Sequence, residues 1–73
     1  MVQICFEGWR EGFQKISFND LLREYLPLSL SESKNIVDRV LSGEAVIVTL
    51  SSLEAANDLL IRARTLGAEG KLL

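Results

Sequence analysis

Two stretches of this chain repeat one spacing. Phe18, Leu21, Leu22, Tyr25 and Leu26 fall at i, i+3, i+4, i+7 and i+8, and Ser33, Ile36, Val37, Val40 and Leu41 do the same. Each set draws one apolar stripe down a helix. Pro27 lies between them, and the residue before a proline is pushed out of the helical region. The pattern therefore requires two helices rather than one long one. Their apolar sides must be covered, so the hairpin needs a second layer to rest on.

The flanking sequence supplies that layer. "VQICFE", residues 2–7, alternates Val2, Ile4 and Phe6 with Gln3, Cys5 and Glu7, the period of a strand with one buried face. "AVIVTL", residues 45–50, is short and β-branched, and reads as a second strand. "SSLE" has the form of a capping box, with Ser51 as N-cap and Glu54 three residues on. The helix it opens is expected to run to about Leu66, with Leu53, Ala56, Leu60 and Ala63 inward. Gly67 closes it, and "AEGKLL" makes a last strand, weakened by Gly70. Ser17 is the expected N-cap of the first helix, with Asp20 at N3, and Ser29 or Ser31 caps the second. Gly43 suits the left-handed position after that helix.

The expected fold is α+β: a single layer of three helices on one face of a three-stranded antiparallel sheet, in the order β-α-α-β-α-β. Leu22, Ile36, Val40 and Leu60 are expected between the layers. The other sheet face would carry Cys5 and Ile47 among polar residues. Such an open face, with short edge strands, predicts a weak homodimer.

Length and composition narrow the function. Seventy-three residues make one module, residues 1–73. A chain of this size buries only about 60% of its unfolded surface, so its core is marginal. There is one cysteine and no histidine, which excludes an internal disulfide, a Cys/His metal site and a histidine-based triad or general base. No cofactor and no metal are expected. The net charge of −2 argues against the broad basic surface of a nucleic-acid binder. No apolar run approaches the length of about 18 residues that spans a membrane. The start, "MVQICFEGWREG", lacks the basic and apolar regions of a signal peptide. A cytoplasmic chain with a reduced thiol is the expectation. Asp20 and Glu24 share a helical face, but nothing desolvates them, and no Gly-rich phosphate loop is present. An enzyme is not expected.

The order of elements and several strings resemble the C-terminal domain of the bacterial ribosomal stalk protein of the large subunit, the seven/twelve type. "LSLSESKNIV" is similar to that family's Leu-Gly-Leu-Lys-Glu-Ala-Lys-Asp-Leu-Val, matching at Leu28, Leu30, Glu32, Lys34 and Val37. "LGAEGKL" is similar to its Ala-Gly-Ala-Glu-Val-Glu-Val. "GFQKIS" sits where the family has Gly-Ala-Asn-Lys-Val-Ala. The resemblance covers nearly the whole chain and leaves out the family's dimerisation region and hinge, so a stand-alone module is implied. The family recruits translational GTPases through a basic and apolar cluster on its first two helices. Carried over by position, that surface comprises Lys15, Ile16, Asn19, Asp20, Arg23 and Lys34. Lys15, Arg23 and Lys34 keep the family's residue type, and Ile16 keeps an aliphatic. Asn19 replaces an aliphatic, Asp20 replaces a lysine, and Pro27 and Ser29 replace two glycines. The Clp adaptor shares this fold, but its substrate pocket includes a histidine, which this chain lacks.

The resemblance therefore implies a small non-enzymatic protein–protein interaction module that docks a partner on the outer face of its helical hairpin. Two alternatives accompany it: a stalk-like factor contacting translational GTPases, and a small inhibitor or immunity-type protein of a mobile element. The same residues also read as an ordinary solvated face. Trp9 and Phe13 either cover one end of the core or offer a partner an aromatic anchor.

Overall fold

The computed structural model describes residues 1–73. The elements are β1 (Val2–Trp9), α1 (Lys15–Tyr25), α2 (Leu30–Leu41), β2 (Val46–Leu50), α3 (Leu53–Thr65) and β3 (Ala68–Leu72). The class and the element order are those expected from the stripes. The strand order is β2-β1-β3, with both outer strands antiparallel to β1. β2 and β3 are thus parallel to one another with β1 between them, and α3 crosses from one edge to the other.

The alternation in β1 turns Ile4 and Phe6 toward the helices, where both are fully buried. Val46, Val48 and Leu50 of β2 and Ala68 of β3 complete the sheet's inner face. Phe18, Leu21 and Leu22 of α1, Val37 and Val40 of α2, and Ala56, Leu59, Leu60 and Ala63 of α3 form the helical side. The rings of Phe6 and Phe18 meet edge to face, 5.2 Å between centroids at 80°, the arrangement their quadrupoles favour. Gly70 is a packing residue: a Cβ there would come within 2.8 Å of the Phe6 ring and 3.1 Å of Leu60.

Several local expectations need correction. α1 begins at Lys15 with Gln14 as N-cap and no side-chain cap, so Ser17 is already inside the helix. The start is set instead by a loop that folds onto the α3–β3 turn, where the Gln14 N–H donates to the Leu66 carbonyl at 2.8 Å. The N-cap of α3 is Ser52, whose side chain accepts from the Ala55 N–H, not Ser51. Ala56, Leu60 and Ala63 are buried as expected, but Leu53, the first residue of the helix, is exposed, and Leu59, three residues after Ala56 and absent from the expected stripe, is fully buried. Ile36 is half-buried and packs on the rim of the core rather than in it.

The serine-rich joint resolves in favour of Ser29. Its hydroxyl accepts from the Glu32 N–H at 3.1 Å, and the Glu32 carboxylate accepts from the Ser29 N–H at 2.9 Å. These bonds hold the Glu32 carboxyl below the usual carboxylate range, the backbone N–H of Ser29 contributing most and its hydroxyl next. A depressed folded pKa stabilises the fold above the ordinary carboxylate range, and that contribution fades as pH falls through the lowered value. Ser29→Ala is expected to cost about 0.5–2 kcal/mol and to raise the Glu32 titration only part of the way, because the backbone N–H at position 29, the larger cause of the lowering, still donates to the carboxylate. Denaturant titration, with the Glu32 carboxyl followed by NMR across acid pH, checks both. A variant as stable as the wild type would show that the Ser29 hydroxyl does not cap the helix.

A candidate docking groove between α1 and α2

Ser33 is the small residue on the buried stripe of α2. It is fully buried, and its hydroxyl donates back to the Leu30 carbonyl at 3.0 Å. A small side chain with its own polar atom satisfied lets the two helices approach on the core side. On the outer side they diverge around a groove of about 390 Å³ lined by Lys15, Ile16, Asn19, Leu30, Lys34, Val37 and Asp38.

Four of the six residues expected at the partner surface meet in this groove: Lys15, Ile16 and Asn19 from α1, and Lys34 from α2. Asp20 and Arg23 do not line it. They continue from Ile16 at i+4 and i+7 along the exposed side of α1, so they flank the groove rather than form it. Leu30, Val37 and Asp38 belong to it and were not expected there, Val37 having been assigned to the inner stripe of α2. Leu30 lies three residues before Ser33 and so extends the α2 stripe by one turn, past the point where α1 can cover it.

The groove combines two kinds of surface. Ile16 is 74% exposed and Leu30 is 54% exposed, so the walls carry two large aliphatic side chains in water. Lys15 and Lys34 stand beside them, and neither forms an ion pair. At the same place the Asn19 Oδ1 is buried without a hydrogen-bond donor. An orphaned acceptor of this kind costs about 1–3 kcal/mol.

The other end of α1 is pinned down. The Tyr25 hydroxyl donates to Asp58, the Arg62 guanidinium donates to the Tyr25 oxygen at 3.0 Å, and Arg62 pairs with Glu24 at 3.1 Å. The Tyr25 hydroxyl, then Glu24, holds the Arg62 guanidinium above its ordinary value. Exposed pairs add little stability, but together they orient α1 on α3.

Trp9 is half exposed, and its Nε1–H donates to the Leu41 carbonyl at 3.2 Å, joining β1 to the end of α2. Phe13 stacks obliquely on Phe18, 5.4 Å between centroids. Phe13 therefore covers one end of the core, whereas Trp9 stays exposed beside it, 6.3 Å between ring centroids. Nowhere do three or more His, Cys, Asp or Glu side chains gather as metal ligands, and no helix is long and apolar enough to cross a membrane. No family model, curated protein or solved structure matches the chain.

Proposed function

We propose that this chain is a small protein–protein interaction module, without catalytic activity of its own, that docks a partner in the α1–α2 groove. One observation carries the reading: two exposed aliphatic side chains, Ile16 and Leu30, share a groove with two unpaired lysines. Clustered apolar exposure rimmed by charge is the surface of a docking site. The partner that complements it is a segment with apolar side chains flanked by carboxylates. Asp20 beside the groove discriminates against a basic-seeking partner of the kind the stalk resemblance implies, because it reverses one charge in the contact patch. A surface respecialised for another protein is the reading favoured here. Contact with a translational GTPase is the second reading, supported by the residue types kept at Lys15, Arg23 and Lys34.

Affinity capture followed by mass spectrometry tests the module, with wild type compared against Ile16→Asp and Lys34→Glu. Both positions are exposed, so both variants should fold. A true partner is retained by wild type and loses about tenfold or more in affinity with Ile16→Asp, the scale of a central interface residue. Asp20→Lys separates the readings: it strengthens binding to a translational GTPase and weakens binding to any other partner that has adapted to Asp20. Captured proteins indifferent to all three substitutions would remove the groove from consideration.

A further inference from the structure

The two edges of the sheet are not alike. The Leu73 N–H donates to the Gln3 carbonyl at 3.0 Å, so Gln3 and Cys5 turn their backbone groups toward β3. Val2, Ile4 and Phe6 then turn theirs toward β2, because successive residues of a strand face opposite ways. Their partners are Leu50, Val48 and Val46. Those three residues bond inward to β1, and Ile47 and Thr49 direct their N–H and C=O groups outward from the edge. No hydrogen bond outside the ladders involves any residue from Ala45 to Ser51, and no ion pair does.

The β3 edge is defended. The Arg64 guanidinium donates to the Gly70 carbonyl at 3.2 Å, Arg10 pairs with Glu69 at 3.6 Å, and Lys71 pairs with Glu7 at 3.5 Å. The β1–β3 ladder also carries an irregularity between Phe6 and Gly8. The irregularity itself lies in β1, at the centre of the sheet; charges and an occupied carbonyl are devices that keep a strand edge from pairing. β2, "VIVTL", has none of them: no charge, no proline, no bulge.

We propose that the open β2 edge is a self-association surface, and that its occupant is the β2 strand of a second copy of this chain. Antiparallel pairing about a two-fold axis at Val48 is the register that uses all five residues of the strand. Ile47 then lies opposite the partner's Thr49, and Thr49 opposite the partner's Ile47. These are the residues with outward backbone groups, and each pair exchanges two hydrogen bonds. The faces also match. Val46, Val48 and Leu50, which face the helices, meet the partner's Leu50, Val48 and Val46, so the sheet continues with apolar beside apolar. Ile47 and the partner's Thr49 share the open face, where Ile47 is 56% exposed in one copy. The contact is isologous and closes on itself as a dimer. Its area is that of one strand pair, at the low end of specific interfaces, so association belongs to the millimolar range. It shares no residue with the α1–α2 groove.

Sedimentation equilibrium and amide hydrogen exchange from micromolar to millimolar concentration test the pairing. The mass is expected to rise from 8.1 kDa toward twice that value, with exchange slowing at Ile47 and Thr49 and unchanged at Gly70 and Leu72. Ile47→Lys and Thr49→Lys place a charge on the exposed edge and should each abolish association while circular dichroism stays that of the wild type. A monomer at millimolar concentration, which would leave the edge to solvent or to a foreign strand, overturns the proposal. So does association that survives both lysine variants, or concentration-dependent protection that maps to the groove instead of β2.

Discussion

Phe18→Ala is expected to remove about 3–5 kcal/mol of folding stability. A chain of 73 residues has about 4–11 kcal/mol in total, so the variant should lie at or near the unfolding threshold. Phe18 is fully buried and touches two other rings, Phe6 at 5.2 Å and Phe13 at 5.4 Å. It is the residue through which β1, the β1–α1 loop and α1 share one contact. The neighbouring truncation Leu22→Ala should cost about 2–5 kcal/mol for the same reason. Urea titration measures both, and NMR dispersion shows whether Phe18→Ala remains folded without denaturant. A cost below about 1 kcal/mol for both, the size of an ordinary mutation, would mean that α1 does not seat on the sheet as described.

The helical hairpin and the alternation of β1 were legible because each carries its own period. An apolar stripe at helical spacing specifies which side of α1 and α2 is buried without reference to anything else in the chain. The start of α1 was not legible from local chemistry. Ser17 is a better N-cap by residue type than Gln14, but the cap is overridden by a tertiary hydrogen bond from Gln14 to Leu66, which are 52 positions apart. At α3 two serines in a row made the N-cap ambiguous by one residue; separately, Leu53 at the first turn lies beyond the layer below it, and Leu59 widens the Ala56–Ala63 stripe by one position. The strand order β2-β1-β3 has no local signature, because it depends on which strands pair across long connections.

The candidate site divides in the same way. Lys15, Ile16, Asn19 and Lys34 meet because α1 and α2 pack side by side, and the buried Ser33 was visible as the small residue on the α2 stripe. Ile16 was placed there by the resemblance, as an aliphatic kept in position, and not by any periodicity of its own. Leu30 was hidden because it continues the stripe of α2, and continuation of a stripe ordinarily means burial. Only the packing of α1 beside α2 leaves it in water. Asp20 and Arg23 were grouped with the others by resemblance, whereas the groove itself ends before them.

Gly67→Ala is expected to cost about 2–4 kcal/mol, through two additive causes. Gly67 has φ +95°, a left-handed backbone that costs an L-residue about 1–2 kcal/mol. A Cβ there would also stand 2.9 Å from the Phe13 Cα and 3.3 Å from its nitrogen. Backbone atoms cannot swing aside as the end of a side chain can, so the β1–α1 loop must lift. That loop is held to the α3–β3 turn by Arg10 N–H to the Gly67 carbonyl and Gln14 N–H to the Leu66 carbonyl, both 2.8 Å. α1 has no side-chain cap, so these bonds are what fixes its first turn. That turn carries Lys15 and Ile16 into the groove. The substitution should therefore disturb the groove as well as the stability, although it touches no groove residue. Gly43→Ala provides the control: φ is +86° there and nothing lies within 4 Å of the added carbon, so only the backbone penalty of about 1–2 kcal/mol applies. Urea titration of both variants, with the amide shifts of Lys15 and Ile16 followed by NMR, tests the difference. Equal costs at the two glycines, or unmoved Lys15 and Ile16 in Gly67→Ala, would show that the loop does not rest on the turn and that the groove is positioned by something else.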